Sequence, residues 1–439
     1  MKISADKVRE ILGKNILADG FDPIHDLKAS QGSWLVDQRT NTRFLDMFSM
    51  FASAAVGYNH PRILAAKNEL GELALIKPTL SDVYNTHYAE FVKTFDELTI
   101  PDYLKHAFFI EGGSLAVENA LKIAFDWKVR KNKIAGIDGE KGTQIIHFNQ
   151  AFHGRSGYTL SLTNTSDPRK TMYFPKFDWP RIINPKLSFP LTEESIKETI
   201  IVEKKAVDQI NMAIRENPHD IAAIIIEPIQ GEGGDNHFRD EFFIKLREIC
   251  DDNEILMIFD EVQTGIGITG KMWAHEHFSV NPDIMAFGKK TQVCGTLAGP
   301  RIDEVENNVF EESSRINSTF GGNLTDMWRF KVMLEIIRDE NLIENARNLG
   351  EYLKKELEAL ENEFPAYVTN AHGLGLFAAF DLPSSTERDD LWLALNRNKL
   401  LILPCGDRSI RFRPHLNVTK EDLSEAISIV KKSITECLK

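Results

Sequence analysis

The sequence predicts an α/β fold, in which helices cover a large, mostly parallel sheet and a smaller α+β domain packs beside it. Short and almost continuous apolar runs alternate with amphipathic helical patterns through the middle of the chain. Such runs are typical of strands that are buried on both faces of a parallel sheet. The last quarter of the chain mixes helices with isolated strands, which is typical of an α+β unit. No Pro-, Gly- or Ser-rich linker separates the two parts, so we expect them to share a large interface.

The parallel sheet is predicted from four apolar runs, and the helical patterns between them supply its covering layers. The first 60 residues contain two strand-like segments, WLVD and RFLDMF. We expect this N-terminal segment, residues 1–60, to join the smaller domain, so that residues 61–325 form the large domain and residues 326–439 the C-terminal one. The candidate strands and helices of the middle region are Gln144–Phe148, Ala222–Glu227, Ile255–Asp260, Ile284–Phe287, Val202–Glu216 and Arg239–Asp252.

The C-terminal region is predicted to hold both helices and strands. Its last helix has a clear start, because Thr419 is a good N-cap residue and Asp422 follows three positions later. The preceding elements are a helix or helix pair over Asp326–Glu363, a strand near Leu374–Leu382, a helix over Glu387–Asn398, and strands over Leu400–Pro404 and Ser409–Arg413.

Composition excludes several classes of protein. With 65 acidic and 52 basic residues among 439, the chain has a formal net charge of −13, which repels polyanions and argues against nucleic-acid or membrane-surface binding. The four cysteines form no CxxC pair, which argues against a zinc ribbon or a disulfide framework. The N-terminus is charged, and no run approaches the ~20 apolar residues that span a bilayer. We therefore expect a cytoplasmic protein.

An acidic residue directly after a buried strand is the strongest local signal. In FDEVQTG, Asp260 lies where a predicted strand ends, and ligands of open α/β sheets bind at the carboxyl ends of strands. A capping role for Asp260 in the next segment is equally compatible with this position. The following GIGITG matches a dinucleotide fingerprint, but DEVQT separates it from the strand. We predict a turn there, which argues against a dehydrogenase.

Two further segments are suited to an anionic, planar ligand. Gly112, Gly113 and Ser114 precede a helical pattern, and amides at a helix N-terminus bind anions, although Ser114 as an ordinary N-cap is a simpler interpretation. In FHGRS, Phe152 supplies a flat ring and Arg155 a guanidinium that can bind a carboxylate. A loop with one buried Phe is the competing interpretation.

A lysine pair follows another predicted strand. Lys289 and Lys290 come after Phe287-Gly288, so Lys289 can serve as a Schiff-base amine if burial lowers its pKa. A solvated pair of lysines is the usual alternative. His275 and His277 do not suggest a metal site, because residues two apart diverge on a helix and no HExxH motif or matching cysteine accompanies them.

Taken in chain order, the motifs EGGSLAVENALK, FHGRSG, EPIQGEGG, FDEVQTG, FGKK, NSTFGGN and IRFRP resemble those of class III pyridoxal-phosphate aminotransferases of fold type I. The resemblance covers residues 45–415. Within the class, the segments EGGSLAVENA, FPKFDWPR, FGKKTQVCG and STFGGNLTDM are most similar to members that act on L-lysine. The chain departs from commoner members, which carry Ser-Gly-Ser/Thr-Glu-Ala in place of Gly112–Ala116 and Arg in place of Ile268. These departures argue against ornithine or acetylornithine as substrate.

The resemblance implies a cofactor, pyridoxal 5'-phosphate, and a role for each matching residue. Lys289 would bond the cofactor covalently and carry protons, and Asp260 would pair with the pyridinium nitrogen. The remaining cofactor-binding residues implied by the resemblance are Gly113, Ser114, Phe152, Gln263 and, from a neighbouring subunit, Thr319.

The resemblance also implies the reaction and its substrates. Arg155 and Arg411 would bind substrate carboxylates, Glu232 would lie opposite Arg411, and Asn317 would touch substrate. The terminal amino group of L-lysine would pass to 2-oxoglutarate, giving 2-aminoadipate 6-semialdehyde and L-glutamate, in a homodimer. An ornithine or 4-aminobutyrate donor remains open, as does a racemase or isomerase on the same fold. A non-catalytic binding protein is less compatible, because both Lys289 and Asp260 are present.

Overall fold

The computed structural model describes residues 3–438 and is organised around a seven-stranded central sheet. All four predicted strands of the middle region are present, and they lie next to one another in this sheet. Every pairing is parallel except those of Cys294–Ala298, which runs antiparallel to both of its neighbours. The strand order is His106–Ile110, Cys294–Ala298, Ile284–Phe287, Leu256–Asp260, Ile221–Ile226, Gln144–Phe148 and Arg181–Ile182.

Both faces of the central sheet are buried, as continuous apolar runs require. Successive strand side chains point to opposite faces, and accordingly Ile225 packs into the core beneath Gly113–Ile134, whereas Ile224 packs into the core beneath Asp240–Asp252 and Glu193–Glu216. This alternation explains why IAAIII carries no polar residue. The three strands that sequence patterns did not indicate lie towards the edges of the sheet, where runs such as CGTLA are short and rich in small residues.

Two smaller sheets are built from the ends of the chain. A three-stranded sheet pairs Trp34–Val36 with Arg43–Asp46, and the latter pairs in parallel with Leu400–Leu401. This pairing supports the proposed union of residues 1–60 with the C-terminal domain, although the boundaries at residues 60 and 325 stay predictions. A four-stranded antiparallel sheet has the order Thr369–Leu374, Phe377–Asp381, Ser409–Phe412 and Leu403–Cys405.

The predicted strand near Leu374–Leu382 is present as Phe377–Asp381, which is the second strand of a hairpin. Leu374 ends one strand and pairs with Phe377, which begins the next. Gly375 occupies the turn at φ +57°, a conformation that disfavours a side chain. The glycines of GIGITG likewise lie in a turn, as predicted, with Gly267 and Gly270 at φ +82° and +85°.

The predicted C-terminal helices are present with small shifts of their ends. The last helix begins after Thr419, whose side chain accepts the Asp422 amide in a capping box. No helix between residues 3 and 438 is both long enough and apolar enough to cross a membrane. Residues Ser49–Ala52 form a single left-handed turn, with φ between +40° and +63°. The α-helices are Val8–Leu12, Pro61–Ala65, Lys67–Leu73, Thr86–Thr99, Gly113–Ile134, Gly157–Leu162, Glu193–Glu216, Asp240–Asp252, Leu324–Asp339, Leu342–Glu363, Ser385–Arg397 and Lys420–Cys437.

Candidate active site

A cavity of about 670 Å³ opens where the parallel strands of the central sheet end. Strand Leu256–Asp260 ends in the cavity wall, and Lys289 follows strand Ile284–Phe287 by two residues. Convergence at this edge is a consequence of parallel strands, whose carboxyl ends all face the same side. Of the residues predicted from sequence, those that line the cavity are Gly113, Ser114, Phe152, Arg155, Glu232, Asp260, Gln263 and Lys289.

The first turn of helix Gly113–Ile134 forms one wall of the cavity. Its N-cap is Gly112, at φ +96°, and no side chain caps the helix, so the N-cap interpretation of Ser114 is wrong. The Ser114 hydroxyl instead bonds to those of Ser156 and Thr159, at 2.6 and 2.8 Å. A Cβ on Gly113 would lie 2.9 Å from Val262 Cγ1. The first-turn amides have no carbonyl partner within the helix, and they are therefore suited to bind a phosphate.

Asp260 lies on the floor of the cavity with a partner that sequence analysis did not identify. Its Oδ2 lies 2.9 Å from Nδ1 of His153, and both side chains are almost completely buried. Its Oδ1 accepts the Val262 amide at 3.1 Å, so Asp260 also caps the following turn. The remaining ring nitrogen of His153 has no partner among residues 3–438. A histidine that contacts one carboxylate oxygen restricts how the carboxylate can rotate beneath a ligand.

Glu227 is a second buried acid that sequence analysis did not assign. It accepts the amides of Phe152 and Gly231, at 2.9 and 3.1 Å, and so connects the segment of Phe152 to the turn that carries Glu232. Burial, reinforced by Asp260 and opposed by His153, raises the pKa of Glu227 to about 7. Glu227 directly follows strand Ile221–Ile226, so the rule that identified Asp260 would have identified it as well.

The two adjacent lysines have different environments. Lys289 lines the cavity and donates to the Phe51 carbonyl at 3.1 Å. Burial, together with the positive charge of Arg411, lowers the pKa of Lys289 to about 8, so a neutral and nucleophilic amine is accessible near neutral pH. Lys290 is 2% exposed and donates to the Gln263 carbonyl at 3.0 Å, so it braces the turn after Asp260.

Glu232 lies between two cations at the rim of the cavity. Its Oε2 accepts Arg411 Nη2 at 2.6 Å, and its Oε1 accepts Lys170 Nζ at 2.6 Å. Burial alone would raise the pKa of Glu232, but Arg411 and Lys170 outweigh it and lower the pKa to about 2. Arg411 is not among the residues that line this cavity. It lines a second cavity, of about 840 Å³, and Glu232 lines both cavities. Lys170 was not among the residues predicted from sequence.

The glycines around Glu232 are required by close packing. A Cβ on Gly231 would lie 2.5 Å from Gln263 Oε1, and one on Gly233 would overlap the Gln150 carbonyl. These two glycines therefore let the turn pack against the Gln263 side chain and the Gln150 backbone. Any movement of Glu232 is therefore expected in its side chain, which is 24% exposed.

Arg155 has no carboxylate partner between residues 3 and 438, and it is exposed at the cavity. It is therefore available to a ligand carboxylate. Asn317 and Thr319 do not join this cluster. Asn317 lines a different cavity, of about 340 Å³, and both residues are exposed. One chain alone thus gathers the remaining predicted residues around the cavity and leaves the segment of Asn317 and Thr319 on its surface.

The residues present fit pyridoxal phosphate. The uncapped helix terminus matches a phosphate, the Phe152 ring matches a planar heterocycle, and Asp260 matches a protonated ring nitrogen. Lys289 supplies an amine whose lowered pKa suits covalent attachment. Asp260 is the most informative of these residues, because a buried carboxylate that lines the cavity can pair with a protonated ring nitrogen, and its contact with His153 fixes its orientation.

Comparison with known proteins gives concordant results. The family model for class-III aminotransferases matches residues 18–434. An L-lysine-epsilon aminotransferase of Mycobacterium bovis is 51% identical over 98% of this chain and 95% of its own length. A human mitochondrial 4-aminobutyrate aminotransferase is 32% identical over 94% and 86% of the two chains. The solved structure of a lysine aminotransferase from M. tuberculosis superposes with a TM-score of 0.97 at 50% identity, covering 99% of this chain and all of that one.

Proposed function

This chain belongs to the class-III aminotransferases, and from that premise we propose that it transfers the terminal amino group of L-lysine to 2-oxoglutarate, producing 2-aminoadipate 6-semialdehyde and L-glutamate. Sequence identity supports lysine as the donor, because the chain is 51% identical to an L-lysine-epsilon aminotransferase and 32% identical to a 4-aminobutyrate aminotransferase. The observation that carries the proposal is the presence of two arginines in different environments. Arg155 lines the 670 Å³ cavity and has no carboxylate partner among the described residues, whereas Arg411 lines the second cavity and is neutralised by Glu232, which lines both.

The cofactor of this class is pyridoxal phosphate, which supplies an electron sink and a carrier for the amino group when bound. We propose that the first-turn amides of helix Gly113–Ile134 hold its phosphate, together with Thr319 from a second copy of the chain. Phe152 would stack on the ring, and Gln263 would bond the ring hydroxyl. Asp260 would keep the ring nitrogen protonated, while His153 fixes the orientation of the Asp260 carboxylate.

Lys289 is the proposed base. In one half-reaction, its amine would remove a proton from the substrate carbon that bears the reacting amino group. In the opposite half-reaction, it would return a proton to the corresponding carbon. A pKa of about 8 places the protonated and neutral forms close in free energy near neutral pH, which favours transfer in both directions.

The two half-reactions place a substrate carboxylate at different arginines. For lysine, the ε-amine must reach the cofactor, so the α-carboxylate lies distal to it, and we propose that Arg155 binds it, with Asn317 touching substrate from a second copy. Arg411 then stays paired with Glu232. For 2-oxoglutarate or glutamate, the carboxylate next to the reacting carbon would replace Glu232 at Arg411. A racemase would need no such exchange of carboxylates.

We further propose that the enzyme is a homodimer with shared sites. Asn317 and Thr319 are exposed, and neither lines the 670 Å³ cavity of its own chain, so a second copy is needed to bring them to it. Light scattering of the fully active enzyme should give the mass of a dimer, and an active monomer would refute the arrangement. A cytoplasmic location remains a prediction.

A donor screen with 2-oxoglutarate as acceptor tests the proposed reaction. We expect lysine to give glutamate and 2-aminoadipate 6-semialdehyde. Ornithine and 4-aminobutyrate should react at least about tenfold more slowly, as expected for loss of one charge-assisted contact. Lys289→Ala should abolish turnover, and borohydride should attach the cofactor to Lys289 in the wild type. Reaction with another donor but not lysine would refute the substrate, and labelling at Lys290 would refute the role of Lys289.

A further inference from the structure

Lys170 contacts Glu232 as closely as Arg411 does. Its Nζ lies 2.6 Å from Glu232 Oε1, and it lines the cavity about 5.7 Å from the centre of the Phe152 ring. The side chains of Lys170 and Glu232 are each 24% exposed, so the contact lies at the partly solvated rim of the cavity. The carboxylate therefore bridges a buried guanidinium on one side and a more accessible ammonium on the other.

The three side chains carry two positive charges and one negative charge. The cluster of Lys170, Glu232 and Arg411 is thus one anion short of neutrality. A substrate carboxylate at Arg411 would complete two neutral pairs, one with Arg411 and the other formed by Glu232 and Lys170. Without Lys170, the same carboxylate would enter a cluster that is already neutral and would leave Glu232 without a cation in a poorly solvated position, which is costly.

Lys170 stabilises the arrangement in which a substrate carboxylate occupies Arg411 more than the arrangement in which Glu232 does. While Glu232 contacts Arg411, its single negative charge is shared between two cations that repel each other. When the substrate takes Arg411, the whole charge of Glu232 is available to Lys170. An interaction that strengthens in only one of two states shifts the balance between them. Lys170 is therefore expected to favour the arrangement that accepts a carboxylate at Arg411.

The backbone keeps Lys170 close to Glu232 even if the Glu232 side chain rotates. Lys170 ends a single 3₁₀ turn, Pro168–Lys170, and the nearby Ser166 hydroxyl donates to the Gly406 carbonyl at 3.2 Å. The Gly406 amide in turn donates to the backbone carbonyl of Glu232 at 2.9 Å. Glu232 and the segment that leads to Lys170 thus both contact Gly406, independently of the side-chain contact between Lys170 and Glu232.

We propose that Lys170 is a specificity-determining residue, which holds Glu232 while a substrate carboxylate occupies Arg411 and so favours reaction with 2-oxoglutarate and glutamate. This inference rests on the proposed function and adds to it a second cationic partner for Glu232. Lys170 itself needs no contact with the substrate. In the lysine half-reaction, where Glu232 stays on Arg411, Lys170 gives no advantage.

The two half-reactions, measured separately by stopped-flow absorbance of the holoenzyme, test this inference. For Lys170→Met, we expect the second-order rate constant for glutamate to fall by about tenfold or more, the equivalent of one charge-assisted contact. The constant for lysine should be unchanged or should rise. Lys170→Arg should restore the glutamate reaction. The matched control is Arg169→Met, because Arg169 is 80% exposed and pairs only with Asp167 among residues 3–438, and it should change either constant by less than about threefold.

Each other outcome has a distinct meaning. Equal losses in both half-reactions, or a loss shared by Arg169→Met, would overturn the inference and indicate a structural role, which urea unfolding of each variant would register. A loss confined to lysine would also overturn it, since Lys170 would then bind the lysine carboxylate. If the wild-type enzyme does not react with lysine or with glutamate, the proposed function fails; if it does and Lys170→Met changes neither rate, only the inference fails.

Discussion

Two carboxylate–arginine pairs connect the same two segments of the molecule but differ in their surroundings. Glu232 and Asp235 lie in one turn, and their partners Arg411 and Arg413 lie two residues apart, at the end of strand Ser409–Phe412 and just beyond it. Asp235 and Arg413 are at most 1% exposed and are joined by two hydrogen bonds. Glu232 is 24% exposed, uses one oxygen for Arg411, and borders two cavities.

The difference separates a structural ion pair from one that can be exchanged. Arg413 also donates from Nε to Gln263 Oε1 at 3.0 Å, so the buried pair holds the side chain of Gln263, a proposed cofactor ligand. A fully buried pair cannot open without leaving two charges away from water. The pair at the cavity can open, because Lys170 can keep Glu232 paired while water or a substrate carboxylate takes the place of Glu232 at Arg411. Access to solvent thus distinguishes a carboxylate–arginine pair that stabilises the fold from one that can bind a substrate.

The largest effect is expected from breaking the buried pair. Asp235→Ala should lower the free energy of unfolding by about 3–5 kcal/mol, because it leaves the Arg413 guanidinium buried and unpaired. Urea unfolding of the cofactor-free protein measures the loss. Glu232→Ala is the matched control, with a carboxylate removed from the same turn, and it should lose less than half as much. Equal losses would show that solvent access does not distinguish the two pairs.

A change of substrate preference is expected from breaking the accessible pair. Glu232→Ala leaves Arg411 without its carboxylate, which should shift the ratio of single-turnover rates from lysine toward glutamate by roughly tenfold to a hundredfold, since a charge-assisted contact is worth roughly 1.5–3 kcal/mol. Glu232→Gln keeps the shape of the side chain and should shift the ratio in the same direction. An unchanged ratio would mean that substrate choice is made elsewhere. Lys170→Met should shift the ratio in the opposite direction.

The two adjacent lysines, Lys289 and Lys290, also differ in accessibility, and we expect this difference to appear in their rates of chemical labelling. In the cofactor-free protein, Lys289 should react with acetic anhydride with a midpoint near its pKa of about 8, whereas Lys290, which is 2% exposed, should react only after unfolding. Mass spectrometry of the labelled peptide, with an exposed lysine as the reference, measures both. Labelling of the two lysines in parallel would contradict the assignment.

The lowered pKa of Lys289 also predicts how stability depends on pH. Below pH about 8, the amine is charged in both the folded and the unfolded chain, and the folded state bears the full cost of burying that charge. Between pH about 8 and the ordinary value of 10.5, only the unfolded chain retains the proton, so the contribution of Lys289 to stability rises with pH. Lys289→Met should remove this rise in the cofactor-free protein.

Most of the candidate site could be predicted from local sequence, because its residues follow buried strands or open a helix. Asp260, Lys289 and Gly113 have such positions, and all line the same cavity. Glu227 has the same signal and opens the motif EPIQGEGG, but no role was assigned to it. His153 lies within the quoted motif FHGRS, but its role and that of Lys170 depend on partners that are 107 and 62 residues away, which no local pattern indicates.

The sequence by itself determined the parallel core and the edge at which the chemistry lies, because strand burial is recorded in short apolar runs and the ends of parallel strands converge. Only the tertiary structure decided that Glu232 meets both Arg411 and Lys170 and that Asp235 meets Arg413. Both arginine pairs join residues almost 180 positions apart. Pairing and exposure at such separations depend on how whole segments pack, and no local pattern of residue types records them.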